Sequence, residues 1–234
     1  MERICEPELM DEPLQAEAYA EADFAPTDQA FTDQVLALLA AAPAPAAPPR
    51  ILELGCGPGN ISFRLAEVLP QAPYLAIDGA AAMLALARER LGAEPQRWPR
   101  LRFHQACLPL PADALAALPE PFAPPYDLIV SNSMLHHLHD PAVFWQTVRR
   151  WAAQGALVVV RDLLRPPSLK ALQAKVVLFA AAAPPVLRLD YANSLAAAFT
   201  PPEVEAQLAS AGLDSLRVEV LDNRYLDIHG RLPG

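Results

Sequence analysis

Cysteine is scarce in this 234-residue chain, and Cys5, Cys56 and Cys107 are odd in number and scattered, with no C-x-x-C pair. That pattern suggests neither a disulfide framework nor a zinc site. No uninterrupted apolar run is long enough to span a bilayer. No basic N-terminal segment leads into an apolar core, so the expected location is cytoplasmic. Positive charge is short too: 18 Lys and Arg stand against 27 Asp and Glu, a net charge of −9. The broad basic face that grips nucleic acid is missing, and a nucleic-acid partner is not expected. The hydrophobic fraction of 53% is inflated by alanine and still indicates a globular chain, long enough to bury a full core.

Glycine numbers only nine, yet Gly55, Gly57 and Gly59 fall at alternate positions in I-L-E-L-G-C-G-P-G-N-I-S, Ile51 to Ser62. Ile51 to Leu54 reads as a buried parallel strand. Ile61 to Leu69 has helical spacing, with Ile61, Leu65 and Val68 on one face. Strand, glycine loop and helix make the plan of a nucleotide site, because glycine lets the backbone turn tightly and approach a ligand. Glu53 precedes the first glycine, and Asp78 ends the next apolar run at the distance where an acid meets a ribose. Asn60 occupies the position where a dinucleotide fingerprint needs Gly or Ala.

The rest of the chain alternates helix and strand. Gln15 to Phe24 has helical propensity. Thr27 or Asp28 caps a helix through Ala41, with Phe31, Val35, Leu36 and Leu39 on its apolar face. Ala42 to Pro49 is a stiff proline-rich linker. Strands are expected at Tyr74 to Ile77, Leu101 to Ala106, Tyr126 to Val130 and Ala156 to Val160. Helices are expected at Gly79 to Leu91, Ala112 to Leu118, Pro141 to Ala153 and Leu169 to Ala183. Thr200-Pro201-Pro202-Glu203 is a capping box opening a helix that Gly212 stops. Val218 to Leu221 and Tyr225 to His229 form a hairpin. Such alternation means a parallel sheet wrapped by helices, with ligands at the carboxyl ends of its strands.

The loop E-x-G-x-G-x-G resembles motif I of the class I S-adenosylmethionine-dependent methyltransferases. Y-D-L-I-V-S-N-S-M-L-H-H-L, Tyr126 to Leu138, resembles the fourth-strand motif of the small-molecule members, including those near the quinone-pathway methyltransferases. The resemblance is strong over about residues 50 to 165 and weak elsewhere. It implies an α/β Rossmann-like fold: a seven-stranded, mostly parallel sheet with a C-terminal antiparallel hairpin and helices on both faces. It implies a helical lid and proline-rich linker over residues 1–49, and a methyltransferase domain over 50–234. The cofactor is S-adenosyl-L-methionine, leaving as S-adenosyl-L-homocysteine. Glu53, Gly55, Cys56, Gly57 and Gly59 are its loop; Asp78 meets the ribose, with Gly79 beside it in the cofactor site; Met83 packs on the adenine. Cys107 stands where the family commonly has an acid for the adenine amine, so the backbone of Ala106 and Cys107 replaces that contact. Ser131 and Asn132 complete the set at the fourth strand end.

The implied activity is methyl transfer to a small-molecule acceptor. The fourth-strand loop lacks both the N-P-P-Y loop for a planar amide or base amine and the P-C nucleophile of pyrimidine chemistry. Two alternatives stay open: a non-catalytic protein binding the same cofactor, and an RNA methyltransferase. His136 and Asp162 are the expected catalytic residues, His136 following the fourth-strand loop and Asp162 ending a strand beside the transfer site. Arg161 or Arg165 is the alternative partner for Asp162. His136, His137 and His139 beside Asp140 invite a metal reading. Adjacent histidines diverge on a helix and no distant Cys or carboxylate partner is evident, so no metal is expected. Asp190, Tyr191, Asn193 and Ser194 are candidates for the substrate side. Oligomeric state has no signature.

Overall fold

The computed structural model of the chain describes residues 1–42, 47–111 and 113–234. Its strands are β1 (Ile51–Leu54), β2 (Tyr74–Asp78), β3 (Leu101–Gln105), β4 (Tyr126–Asn132), β5 (Ala152–Leu163), β6 (Arg217–Leu221) and β7 (Tyr225–Arg231). They form one sheet in the order β3-β2-β1-β4-β5-β7-β6. β1 to β5 pair in parallel, and β7 runs antiparallel to both β5 and β6. The hairpin turn between β6 and β7 places Asp222 and Asn223 at φ 52° and 51°, a conformation these two residue types tolerate. The expected sheet, with its antiparallel C-terminal hairpin, is therefore present.

Eight helices cover the faces of the sheet among the described residues: α1 (Pro13–Glu21), α2 (Ala25–Ala40), α3 (Asn60–Val68), α4 (Ala81–Ala93), α5 (Ala142–Trp151), α6 (Leu169–Ala180), α7 (Pro185–Ala197) and α8 (Pro201–Ala211). The pleat sends alternate residues of each strand to opposite faces. Leu52 and Leu54 of β1 pack into a core with Trp145 and Val148 of α5 and Leu208 of α8. Ile51 turns the other way, onto Phe31 of α2, Leu65 of α3 and Leu84 of α4. Each such buried side chain stabilises the fold by about 1.5–3 kcal/mol. Glu53 shares Ile51's face and is therefore driven inside.

Several boundaries differ from expectation. α2 starts at Ala25, two residues before Thr27, with Pro26 in its first turn and no side-chain cap. Val68 is half exposed, and Phe63 and Ala66 take its place in the core. Asp113 to Ala117 form turns, not a helix, while Ala112 and residues 43–46 of the Ala42 to Pro49 linker lie outside the described residues. α7 was not expected at all; Pro185 opens it at a position where a missing N–H costs nothing. The α8 capping box is present, with the Glu203 carboxylate accepting the Thr200 N–H at 2.8 Å.

Candidate active site

The strand order reverses at β1, whose neighbours β2 and β4 lead the chain in opposite directions. The crevice beyond the carboxyl ends of these strands is where open α/β sheets bind ligands. A cavity of about 600 Å³ opens there, within the ~300–1,000 Å³ of small-molecule sites.

One end of the cavity is the loop after β1. Gly57 has φ +53° and its N–H donates to Asp78 Oδ2 at 2.7 Å. A Cβ on Gly57 would meet nothing within 4 Å, so this backbone faces open cavity. Gly55, at φ +71°, is closed instead: a Cβ there would lie 2.4 Å from Met134 Cγ. The other oxygen of Asp78 accepts the Ala80 N–H at 2.8 Å. The carboxylate thus ties the loop to the start of α4. Burial raises the Asp78 pKa, against the lowering pull of the Ala80 and Gly57 N–H groups. Glu53 lies deeper, where its Oε2 meets Ser62 Oγ at 2.5 Å and Tyr74 OH at 2.9 Å. Burial pushes its carboxyl up to about 8, with both hydroxyls opposing. Glu53 therefore braces β1 against β2 and α3 besides lining the cavity.

The opposite wall comes from the short 3-10 turn Leu135–His137 that follows β4. His136 Nδ1 lies 2.5 Å from Asp162 Oδ1. Asp162 also accepts the N–H groups of Leu163 at 2.6 Å and His136 at 3.2 Å. Burial opposes the Asp162 charge, but His136 and the Leu163 N–H outweigh it and hold the pKa low. An ionised carboxylate only accepts, so the proton sits on His136 Nδ1. Burial also opposes a charge on His136, and Asp162 and Glu6 together overcome it, raising its pKa. Beside it, burial and the His136 charge push His137 down to about 3.

Glu6 closes this cluster from the N-terminal segment. Its Oε1 lies 3.5 Å from His136 Nε2 and 3.2 Å from His137 Nδ1. These three donor atoms lie within 4.8 Å of one another, close enough to share a metal ion. The expectation that no carboxylate partners the histidines is thus corrected. A proton on His136 Nε2 serves equally, because it sets an imidazolium between two carboxylates. Arg3 clamps the same turn, donating to the carbonyls of His136 at 2.9 Å and Leu138 at 2.8 Å. His139 turns outward, its ring 2.7 Å from the Glu6 carbonyl.

Residues 52–158 match a family model described as a methyltransferase domain. The trans-aconitate 2-methyltransferase of Methylobacterium nodulans is 38% identical over 125 residues, covering 53% of this chain and 42% of that protein. The malonyl-[acyl-carrier protein] O-methyltransferase of Legionella pneumophila is 34% identical over 90 residues, 38% of this chain and 28% of its own length. The aligned stretch thus spans less than half of these relatives. Over residues 52–158 the chain is thus similar to methyltransferase domains. The fold agrees over nearly the whole chain. A SAM-dependent methyltransferase from Aquifex aeolicus superimposes with a TM-score of 0.61 at 17% identity, covering 94% of this chain and 98% of its own. The plantazolicin methyltransferase BpumL, solved with SAH, gives 0.65 at 13% identity, with 94% and 91% covered.

Most of the expected site residues meet in the cavity. Glu53, Gly55, Cys56, Gly57, Asp78, Gly79 and Met83 line it, as do Ala106, Cys107, Asn132 and His136. Three do not. Gly59, at φ +88°, sits behind the loop, where a Cβ would strike Phe63. Ser131 is buried and spends its hydroxyl on the Leu54 carbonyl at 2.8 Å, tying β4 to β1. Asp162 stands behind His136 and reaches the cavity only through that ring. Nor do the neighbouring arginines claim it: Arg161 binds Asp227 at 2.7 Å and Arg165 binds Glu203 at 2.6 Å. Asp190, Tyr191 and Ser194 of α7 line the cavity, and Asn193 does not. Sequence reasoning missed Glu6, Arg3, Asp28, Met134 and Arg224. The acidic stretch around Glu6 carried no motif, and only the fold brings it beside His136.

Proposed function

We propose that the chain is an S-adenosylmethionine-dependent methyltransferase acting on a small-molecule acceptor, and that His136 faces that acceptor. One observation carries the reading: a single cavity joins the loop at Gly57 and Asp78 to the His136 turn. The donor therefore fits at one end with its acceptor beside the histidine. Gly57 and Asp78 would hold the amino-acid and ribose portions, and Met83 the adenine. The open space over Gly57 supports that fit. When bound, the cofactor supplies an electrophilic sulfonium methyl.

The chain's own residues align the acceptor and exclude water. His136 takes the acceptor proton at Nε2 when the acceptor atom is an O–H or N–H. Asp162 is a positioning residue that holds the other ring proton on Nδ1, so that Nε2, 3.5 Å from Glu6 Oε1, is the nitrogen that gains and loses the proton. Residues 8–10 and Tyr19, Phe24, Thr27 and Asp28 wall the cavity, which supports residues 1–49 as a lid. No metal is invoked. The relatives are named for trans-aconitate and malonyl-[acyl-carrier protein], and with the net charge of −9 they favour a small acidic or carrier-bound acceptor over RNA. Free Cys5, Cys56 and Cys107 support a cytoplasmic protein, and no helix among the described residues is long and apolar enough to cross a membrane.

Calorimetry with S-adenosylhomocysteine and NAD tests the cofactor, and a metabolite-extract screen with a labelled methyl donor tests transfer. Saturable NAD binding without a response to S-adenosylhomocysteine overturns the reading. Tight cofactor binding with no label leaving it in any extract favours a non-catalytic protein. Turnover that a chelator abolishes and a divalent ion restores would make the Glu6, His136 and His137 cluster a metal centre.

A further inference from the structure

Positive charge in the cavity is unevenly satisfied. Two arginines line it, Arg161 and Arg224. Arg161 is locked, its guanidinium 2.7 and 3.0 Å from the two oxygens of Asp227. Arg224 forms no ion pair with any described residue, and its Nε is buried with no hydrogen-bond partner. Lys175 approaches the same corner, donating only to the Asn223 carbonyl, and its pKa is lowered by burial and by Arg224. Neither of these two neighbouring cations forms an ion pair among the described residues.

The guanidinium is nonetheless held in place. Its backbone is pinned in the hairpin turn, with the Leu164 N–H donating to the Arg224 carbonyl at 2.9 Å. Three rings surround it, their centroids 4.4 Å (Phe179), 4.8 Å (Tyr225) and 5.8 Å (Tyr191) from its central carbon. Rings satisfy the faces of a guanidinium by cation–π attraction. They leave the buried Nε–H on its edge without an acceptor. The buried Tyr191 hydroxyl makes no other hydrogen bond and lies against the same guanidinium; burial raises its pKa and the guanidinium pulls it down. A buried donor left unpaired is costly, and a carboxylate is the group whose geometry matches an arginine edge.

We propose that Arg224, with the Tyr191 hydroxyl, is a carboxylate site that anchors an acceptor carrying one carboxylate on an apolar body. This rests on the proposed function, since it assigns this corner of the cavity to the acceptor. A monoanion fits better than a dianion. Asp190 lines the same cavity with Oδ2 unpaired, and Glu6 lies one helical turn along α7 at Ser194, 3.3 Å from its hydroxyl. Both acids oppose extra negative charge.

The test uses the full chain saturated with S-adenosylhomocysteine, and phenylacetate, phenylacetamide and phenylphosphonate as probes in ligand-observed NMR titrations. Phenylacetate should bind about 10- to 100-fold tighter than its neutral amide, as one charge-assisted pair predicts. Arg224→Met should erase that preference, and Arg224→Lys should keep part of it. Equal binding of acid and amide, no binding of either, or a preference that survives Arg224→Met overturns the proposal. Tighter binding of the phosphonate overturns the carboxylate assignment. Arg224→Lys keeps the test decisive if the Met variant does not fold. The same samples report cofactor affinity: its absence in the unmutated chain defeats the proposed function, whereas normal affinity without acid selectivity defeats only this site.

Discussion

Replacing Asp78 by alanine removes one carboxylate with two jobs. Oδ2 accepts the Gly57 N–H at 2.7 Å and Oδ1 the Ala80 N–H at 2.8 Å. Each oxygen keeps a second lone pair for a ribose hydroxyl. Two charge-assisted bonds to the cofactor, worth about 1.5–3 kcal/mol each, are lost in the mutant, and water admitted beside the ribose recovers part of that. The expected net loss is roughly 2–4 kcal/mol, which weakens S-adenosylhomocysteine about 30- to 1,000-fold. Loss of the two N–H contacts adds a separate cost of about 1–3 kcal/mol to the stability of the loop. Asp78→Asn discriminates further: it retains one acceptor, but its amide turns a donor toward a backbone N–H, so affinity stays low. Calorimetry gives the affinities and urea titration the stabilities. An Asp78→Ala chain that melts normally and binds S-adenosylhomocysteine within threefold of the parent refutes this role.

Asp162→Asn should lower turnover by about 100- to 10,000-fold with cofactor affinity unchanged, because His136 loses the partner that fixes its tautomer. A base works deprotonated, and Asp162 raises the His136 pKa above 6.5; kcat/KM should therefore rise with pH through that raised value, and the limb should move to lower pH in the mutant. Glu53 takes the opposite sense from a salt-bridged acid. Its folded pKa of about 8 lies above the ordinary 4.5, so the fold binds the extra proton and stability falls as pH rises between those values. Urea melts of Glu53→Gln should lose this slope and, relative to the parent, gain on the order of a few kcal/mol from pH 4.5 to pH 8. Gly55→Ala combines φ +71° with a Cβ 2.4 Å from Met134, and thermal melts should show a loss of about 1–3 kcal/mol. Adding Met134→Ala should recover only the steric share.

The sheet and its cofactor loop were legible because they rest on local signals. Short apolar runs, three alternate glycines and an acid one strand later have a single structural solution. Asp78 and Met83 were expected from that frame, and both line the cavity. Gly59 and Ser131 lie off the cavity for different reasons: Gly59 caps α3 with Phe63 behind it, and Ser131 turns its hydroxyl to the Leu54 carbonyl of the neighbouring strand, and sequence records neither direction. Asp162 is subtler. Its place at the end of β5 was correct, but the 2.5 Å contact with His136 depends on the 3-10 turn, and no spacing rule relates positions 136 and 162. Glu6 shows the limit most plainly. It meets the histidines from 130 residues away through a segment without regular structure, so neither periodicity nor motif could place it. α7 was missed because its apolar face is thin, with only Leu187, Ser194, Leu195 and Ala197 buried.

The distribution of charge in the cavity gives these separate residues a common logic. Glu8, Asp23, Asp28, Glu53 and Asp78 all line it, as does Asp190. Burial pushes Asp28 up to about 6, against the lowering pull of Arg64, so this carboxyl stands close to ionisation in an enclosed site. A cationic ligand beside it favours the ionised form and is itself favoured in return. S-adenosylmethionine carries such a charge at sulfur and at its amine. The acids near the glycine loop therefore suit the donor, and the unpaired Arg224 suits an acceptor of opposite sign. Transfer of a methyl group removes the positive charge at sulfur. In a cavity where charge is less screened than in bulk water, a step that reduces charge is easier than in water. The same step weakens the hold of the acids on the spent cofactor. Complementary charge at the two ends thus favours binding of both reactants before transfer and loosens one of them after it.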